Sequence, residues 1–257
     1  MDTFTLKLLL SFAVGGAYIA FTIWVSEKFG SKLGGIAIGL PSTALVSFIF
    51  IAWTQDLNAA VAAAPITPLG TAATALFLAF FVHFYKFGRV RSLVLSILLW
   101  AVITFPFAFL RLDNMLYSLP VAAVLLAITI SYLSRFPHRR LPAFRLPPGE
   151  FLFRSAFAGT IVAAAVLFSK LFGPEWGGLF AAFPAAFSSS VFLLSRKHGL
   201  DFTASVARSM PFGSIANVVF EAGFFLFALP LGLFGGIALA YSLSLSAALL
   251  LYRFFMK

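Results

Sequence analysis

Cysteine is absent from this 257-residue sequence, and acidic residues are scarce, with 8 aspartates and glutamates against 18 lysines and arginines. The first absence excludes disulfides, thiolate metal sites and cysteine nucleophiles. The shortage of charge excludes more. Only 10% of the residues are charged, while 61% are hydrophobic and 17% aromatic. An ordinary soluble domain is about half apolar and about a quarter charged. Too few polar side chains remain to cover a soluble globule of this size, and the mean hydropathy of +1.03 agrees. The composition is that of an all-α polytopic membrane protein. At about 20 residues per span, the length leaves no room for a sizeable soluble domain.

Hydropathy predicts nine spans, near 4–25, 34–53, 66–85, 92–110, 115–133, 151–172, 177–195, 209–230 and 234–254. Short breaks with turn chemistry separate them, at Glu27–Lys32, Gly88–Arg91, Asp113–Asn114, Gly173–Glu175 and Arg196–Gly199. The one long connector is Arg135–Glu150, which carries Pro137, Pro142, Pro147 and Pro148 with five basic or histidine side chains. Proline bars helix there and stiffens the link, so the connector reads as an extended surface strap.

Sorting the basic residues by the side each loop must occupy gives the orientation. The side bearing the N terminus receives Lys7, Arg111 and Lys170, and the other side receives the remaining 15. By the positive-inside rule the N terminus lies outside and the C terminus in the cytoplasm, in the inner or plasma membrane. The net charge of +10 is then explained by topology and by attraction to anionic lipid head groups. A nucleic-acid partner is not expected, because no basic, aromatic-bearing soluble module exists.

An internal repeat is the most informative feature. At an offset of 143, Gly16 aligns with Gly159, Gly30 with Gly173, Gly34-Gly35 with Gly177-Gly178, and Pro41 with Pro184. Pro68-Leu69-Gly70 likewise aligns with Pro211-Phe212-Gly213, and DLNAAVA at Asp56 faces DFTASVA at Asp201 with a two-residue shift. Spans one to four therefore correspond to spans six to nine. The chain divides into a first repeat (1–112), a connector helix with a basic, proline-rich loop (113–150) and a second repeat (151–257). Because span five is an odd crossing, the two repeats sit in the membrane in opposite orientations. Inverted repeats are a recurrent transporter architecture, with the solute site near the midplane between them. A duplicated structural bundle without transport is the alternative.

The GG-x-x-x-x-x-x-P block, the small and hydroxyl residues after it, and the A-x-x-R-S-x-P-F-G stretch of the second copy resemble the small four-span GlpM-like inner-membrane proteins. The resemblance covers roughly 4–110 and 151–254. It implies two such units fused head to tail around a flipping helix. That family has no assigned chemistry, so the resemblance implies membrane residence alone. In organisation the inverted duplication also looks like the drug/metabolite transporter superfamily.

Polar groups inside the membrane are expensive and mark candidate sites. Glu221 lies about a dozen residues into span eight, roughly 18 Å along it at 1.5 Å per residue. An ionised carboxylate there costs on the order of 3 kcal/mol on insertion scales, so it must be protonated, paired or facing a wet cavity. Ser214, Asn217 and Glu221 fall at i, i+3 and i+7, on one helical face. The first copy carries Thr71, Thr74 and Leu78 at the matching positions. Polar glue between helices is the competing role for the acid.

Pro41 and Pro184 each remove a backbone donor in mid-span and free a carbonyl one turn earlier. Hydroxyls follow both prolines: Ser42, Thr43 and Ser47 in the first copy, and Ser188, Ser189 and Ser190 in the second. Freed carbonyls beside hydroxyls can coordinate a cation or a solute, whereas the double glycines ahead of them also serve close packing. Arg154 and Arg208 fall near cytoplasmic span ends. They either snorkel to head groups or bind a phosphate or carboxylate at the cytoplasmic mouth.

No HExxH, Walker-type glycine loop or GxSxG elbow occurs. His83, His138 and His198 all fall near span ends, so neither an enzyme nor a metal centre or other cofactor is expected. The sequence reads as a secondary transporter or lipid-linked-solute translocase, with a small solute or lipid head group as cargo and a proton or cation as coupling ion. A membrane scaffold for an envelope enzyme or polymer-export complex is the rival. A channel is disfavoured, since nothing resembles a carbonyl filter or a charged ring.

Overall fold

The computed structural model describes residues 2–38, 40–111, 114–137 and 147–255, with backbone alone at 23, 25–38, 252, 254 and 255. Much of the connector 135–150, Asp113, and the packing of Gly34 and Gly35 lie outside the described residues and side chains. Among the described residues the chain is all helical, with no strand.

The helices follow the apolar runs, and their ends follow local chemistry. Helix α1 (Thr3–Ile38) starts at Asp2, whose carboxylate accepts from the Thr5 backbone N–H at 2.8 Å. Those Thr5 hydrogen bonds hold the exposed Asp2 carboxyl below its usual range. Next come α2 (Thr43–Thr54) and α3 (Leu57–Ala63), the latter capped by Asp56 through the Ala59 N–H at 2.8 Å. A 3-10 turn leads into α4 (Thr67–Phe84), and Gly88, at φ 94°, separates a second such turn from α5 (Arg89–Phe109). Asn114 caps α6 (Met115–Leu133). Proline opens both α7 (Pro148–Phe172) and α8 (Pro174–Ala181), where its missing N–H costs nothing. Helix α9 (Ala185–Ala207) kinks at Gly199 and α10 (Met210–Phe255) at Gly232, both with positive φ.

Seven helical segments among the described residues are long and apolar enough to cross a membrane. The count differs from nine for two physical reasons. The expected second span is cut at the Pro41 break, leaving the 12-residue α2 below spanning length. Spans eight and nine both lie within α10: the backbone is non-helical at Gly232 (φ 73°, ψ 169°), and the stretches before and after it pack on one another, Gly223 against Ala240 and Gly236 against Ala228. The expected turn at Glu27–Lys32 is absent as well. Helix α1 continues to Ile38, since proline first interrupts that stretch at Pro41. The boundary at 115–133 is as predicted, and α7 begins three residues earlier than 151.

Burial sorts the helices into a core and a shell. In an 18-residue apolar stretch of the segments around α4 and α8–α9, 83% and 78% of the residues are buried, against 28% in α5 and in α6. The shell exposes large apolar side chains such as Phe109, Leu116 and Phe234, the surface a lipid solvent requires. Without a hydrophobic drive between helices in lipid, close approach must come from small residues. Helices α1 and α7 cross in this way and run antiparallel. Lys170, near the end of α7, stacks on Phe4 at the start of α1, while Ile19 packs beside Phe151. At the crossing a Cβ on Gly16 would stand 2.9 Å from the Ser155 carbonyl oxygen, and one on Gly159 would collide with the Phe12 carbonyl oxygen.

Candidate functional site

Helices α4 and α10 also run antiparallel, and they bring the expected polar stripes face to face. Glu221 is wholly buried. Its Oε1 accepts a hydrogen bond from the Thr71 hydroxyl at 2.6 Å, and Thr71 Oγ1 accepts one from Asn217 Nδ2 at 3.0 Å. Thr67, one turn earlier on α4, brings a second hydroxyl to the carboxyl. Its own proton goes instead to the Ala64 carbonyl at 2.6 Å. Among the described residues, Glu221 Oε2 and Asn217 Oδ1 have no hydrogen-bond partner. A hydrogen bond to a charged group contributes about 1.5–3 kcal/mol, comparable with the roughly 3 kcal/mol cost of the acid on insertion scales. One hydroxyl therefore goes far towards holding Glu221 in place.

Beside this chain lies a cavity of about 40 Å³. Its walls include Ser42 and Thr43 at the Pro41 break, Ala182 and Pro184 at the second break, and Thr71, Thr74, Ser214 and Asn217. The two breaks, distant in sequence, thus line one partly polar space. Thr74 donates to the Ala182 carbonyl at 2.6 Å and accepts from Trp100 Nε1 at 3.0 Å. That carbonyl sits just past the end of α8, where a helix terminus leaves acceptors without intrahelical partners. Neither α2 nor α9 has a side-chain cap at its start. Close packing builds the walls. A Cβ on Gly70 would lie 2.6 Å from Ala182 Cβ, and one on Gly178 would fall on the Ala63 carbonyl oxygen.

Of the residues expected from sequence, Thr71, Thr74, Ser214, Asn217 and Pro184 line the cavity. Pro41 is buried between the lining residues Leu40 and Ser42, and Glu221 stands behind Thr71. Ser188 is buried but turns its hydroxyl back to the Ala185 carbonyl at 3.2 Å, the habit of serine inside helices. Arg154 differs from expectation. It is only 4% exposed, and its Nη2 donates to Ser190 Oγ at 2.5 Å. The early start of α7 sets it a further turn into the helix, where α9 covers it. Arg208, half-buried, donates from Nη1 to the Phe136 carbonyl at 2.8 Å, tying the end of α9 to the chain after α6.

Sequence reasoning missed Thr67 and Trp100. Thr67 lies one turn before Thr71 on the same face and was within reach of the helical-period argument, whereas nothing local marks Trp100. No group of three or more metal-ligating side chains occurs among the described residues.

Comparison with known proteins finds a family model matching residues 151–253, described as "Protein of unknown function (DUF3147)". This is the family of the GlpM-like proteins, and the matched stretch covers most of α7 to α10. No curated protein and no solved structure matches the chain.

Proposed function

We propose that this protein is a secondary transporter of the inner or plasma membrane, working by alternating access of two inverted repeats around the cavity between α2, α4, α9 and α10. The observation that carries the reading is the meeting of the two helix breaks in the lining of one partly polar cavity. Discontinuous helices that face each other at a repeat interface are how many transporters build a solute site.

The inverted relation has its own support. Element by element, α1 corresponds to α7 and α8 together, α2 and α3 to the two parts of α9, α4 to residues 210–231 and α5 to residues 233–255. The α1–α7 crossing is reciprocal. Phe12 meets Gly159, Gly16 meets Ser155, and both pairs of equivalent positions differ by 143. A two-fold relation produces such a contact. A second contact lies near the same relation: Lys7 Nζ donates to the Trp53 carbonyl at 2.6 Å, and Glu150, the counterpart of Lys7, pairs at 2.9 Å with Lys197, one residue past the counterpart of Trp53.

A cavity of about 40 Å³ has room for about three water-sized occupants at roughly 10–15 Å³ each. Drug-sized ligands need roughly 300–1,000 Å³, so the geometry favours an ion or a very small solute over a lipid-linked one. The rival scaffold role gives no account of a buried acid wired to a polar cavity. To test the reading, purified protein is placed in vesicles holding a pH-sensitive dye, and gradients of Na⁺, K⁺ or Cl⁻ are imposed singly. At least one gradient should drive proton flux that protein-free vesicles lack. Silence under all three would favour the scaffold.

Orientation is tested separately on this natively cysteine-free chain. The charge asymmetry predicts that Asp113→Cys is labelled by an impermeant maleimide from outside, and Arg139→Cys only after permeabilisation. Outside labelling at position 139 would overturn it.

A further inference from the structure

We infer that the chain Asn217–Thr71–Glu221 is a proton-operated polarity switch that makes the cavity a site for a small monovalent cation when Glu221 is ionised and closes it to that cation when Glu221 carries a proton. The inference rests on the transport reading for its purpose and names the class of ion.

The argument is one of donors and acceptors. A threonine hydroxyl has one proton to give. Thr71 gives it to Glu221 Oε1, so the oxygen of Thr71 can only accept from its other neighbour. Asn217 must therefore present its amide nitrogen to Thr71, as it does. The amide oxygen is left over, and it has no hydrogen-bond partner among the described residues. Asn217 is part of the cavity wall together with Ser42, Thr43 and Ser214. Amide and hydroxyl oxygens are ligands for hard cations, and the space is too small for an organic cation of any size. The dipoles of the broken helices do not decide the matter. The end of α8 and the start of α9 flank the same break, so their opposite poles largely cancel.

A proton taken up from cavity water reverses the chain. On Oε1 it meets the oxygen of Thr71, and the oxygen of Thr67, whose own proton is given to Ala64, is the competing acceptor at the carboxyl. With Glu221 as donor, the Thr71 hydroxyl accepts and turns its own proton towards Asn217. The amide then rotates to offer its oxygen to Thr71 and its NH₂ group to the cavity, which repels a cation. No covalent bond changes except the O–H formed on Glu221. Cation and proton become mutually exclusive although the carboxyl is not part of the cavity wall.

The groups packed around Glu221 leave the switch to this chain. On α1, Lys7 is bound to the Trp53 carbonyl, and Tyr18 bonds Tyr241 of α10. Asp56 caps α3, and His83 of α4 stands against Tyr132 of α6. Helix α2 carries no ionisable side chain; Tyr117 of α6 and Arg253 of α10 are exposed near helix ends. The side chains of Glu27, Lys28 and Lys32 lie outside the described ones.

The test is binding in detergent, apart from flux. Radioactive Na⁺ should bind the purified parent at least about tenfold more tightly at pH 9 than at pH 6, within the 5–150-fold range of coupled sites. Adding Na⁺ to weakly buffered protein between those values should release protons, as reciprocity demands. Thr71→Val should lose the pH dependence and Thr71→Ser should keep it. Thr71→Ala, which adds no bulk, serves if the valine variant does not fold. Glu221→Gln should bind Na⁺ with the same strength at both pH values. Retention of the parent's pH dependence by Thr71→Val or Thr71→Ala would mean that charge acts through space, and the switch is wrong. Absence of Na⁺ binding at either pH, or chloride binding that strengthens at pH 6, would reject the cation site. Binding as expected in a protein that moves no ions would reject the transport reading alone.

Discussion

Gly178→Leu should abolish the folded protein. A Cβ at this position would fall on the Ala63 carbonyl oxygen and lie 2.8 Å from Ile66 Cγ2. The first obstacle is backbone and cannot rotate away. Overpacking usually costs about 1–3 kcal/mol when side chains can adjust, and a backbone collision stands at or beyond the upper end. Against a total stability of about 5–15 kcal/mol, a leucine there separates α8 from α3 and removes one wall of the cavity. Size-exclusion profiles in detergent should show aggregate, or the thermal midpoint should fall steeply. Gly149→Ala is the control, since no atom lies within 4 Å of its added Cβ, and it should leave the midpoint unchanged. A leucine variant with the parent's midpoint would refute the packing of α8 on α3.

Glu221→Gln should leave the protein folded and reduce ion-coupled proton flux to the level of empty vesicles. Glutamine matches the acid in size and still accepts from Thr71 through its side-chain oxygen, but it cannot ionise. Glu221→Leu should behave differently. It leaves the Thr71 hydroxyl buried without its acceptor, at a cost of about 1–3 kcal/mol, so the thermal midpoint should drop along with the flux. The pair of variants separates a proton carrier from polar glue. If Gln keeps full flux, Glu221 is structural and the transport mechanism proposed for it fails.

What the sequence reveals and what it conceals divide along physical lines. Ser214, Asn217 and Glu221 were legible as one face because three and seven residues are close to whole turns. Thr71 and Thr74 followed from the repeat, and the tertiary fold then joined the two faces as antiparallel helices. Pro41 and Pro184 announced breaks, because a missing donor has the same consequence in any helix. Other features depend on which surfaces meet. Nothing near Trp100 in the chain says that its indole reaches Thr74, 26 residues away. The burial of Arg154 depends on how α9 covers α7. Hydropathy also overlooks the difference between a span and an interrupted one, since Leu40 and Ser42 at the break are surrounded by the same apolar residues as any crossing. The break between spans eight and nine was legible, because a glycine at Gly232 can take the positive φ at which one helix gives way to the next.

The reciprocal crossing of α1 and α7 also has a genetic reading. A contact in which Phe12 meets Gly159 while Ser155 meets Gly16 is one that two copies of a single short chain would make when one lies upside down against the other. A gene encoding one half, whose product entered the bilayer both ways up, would already have specified the whole interface. On the proposed inverted-repeat reading, fusion through α6 would fix the two orientations at one copy each. The same reading would leave each half free to diverge, with an acid at position 221 and leucine at position 78.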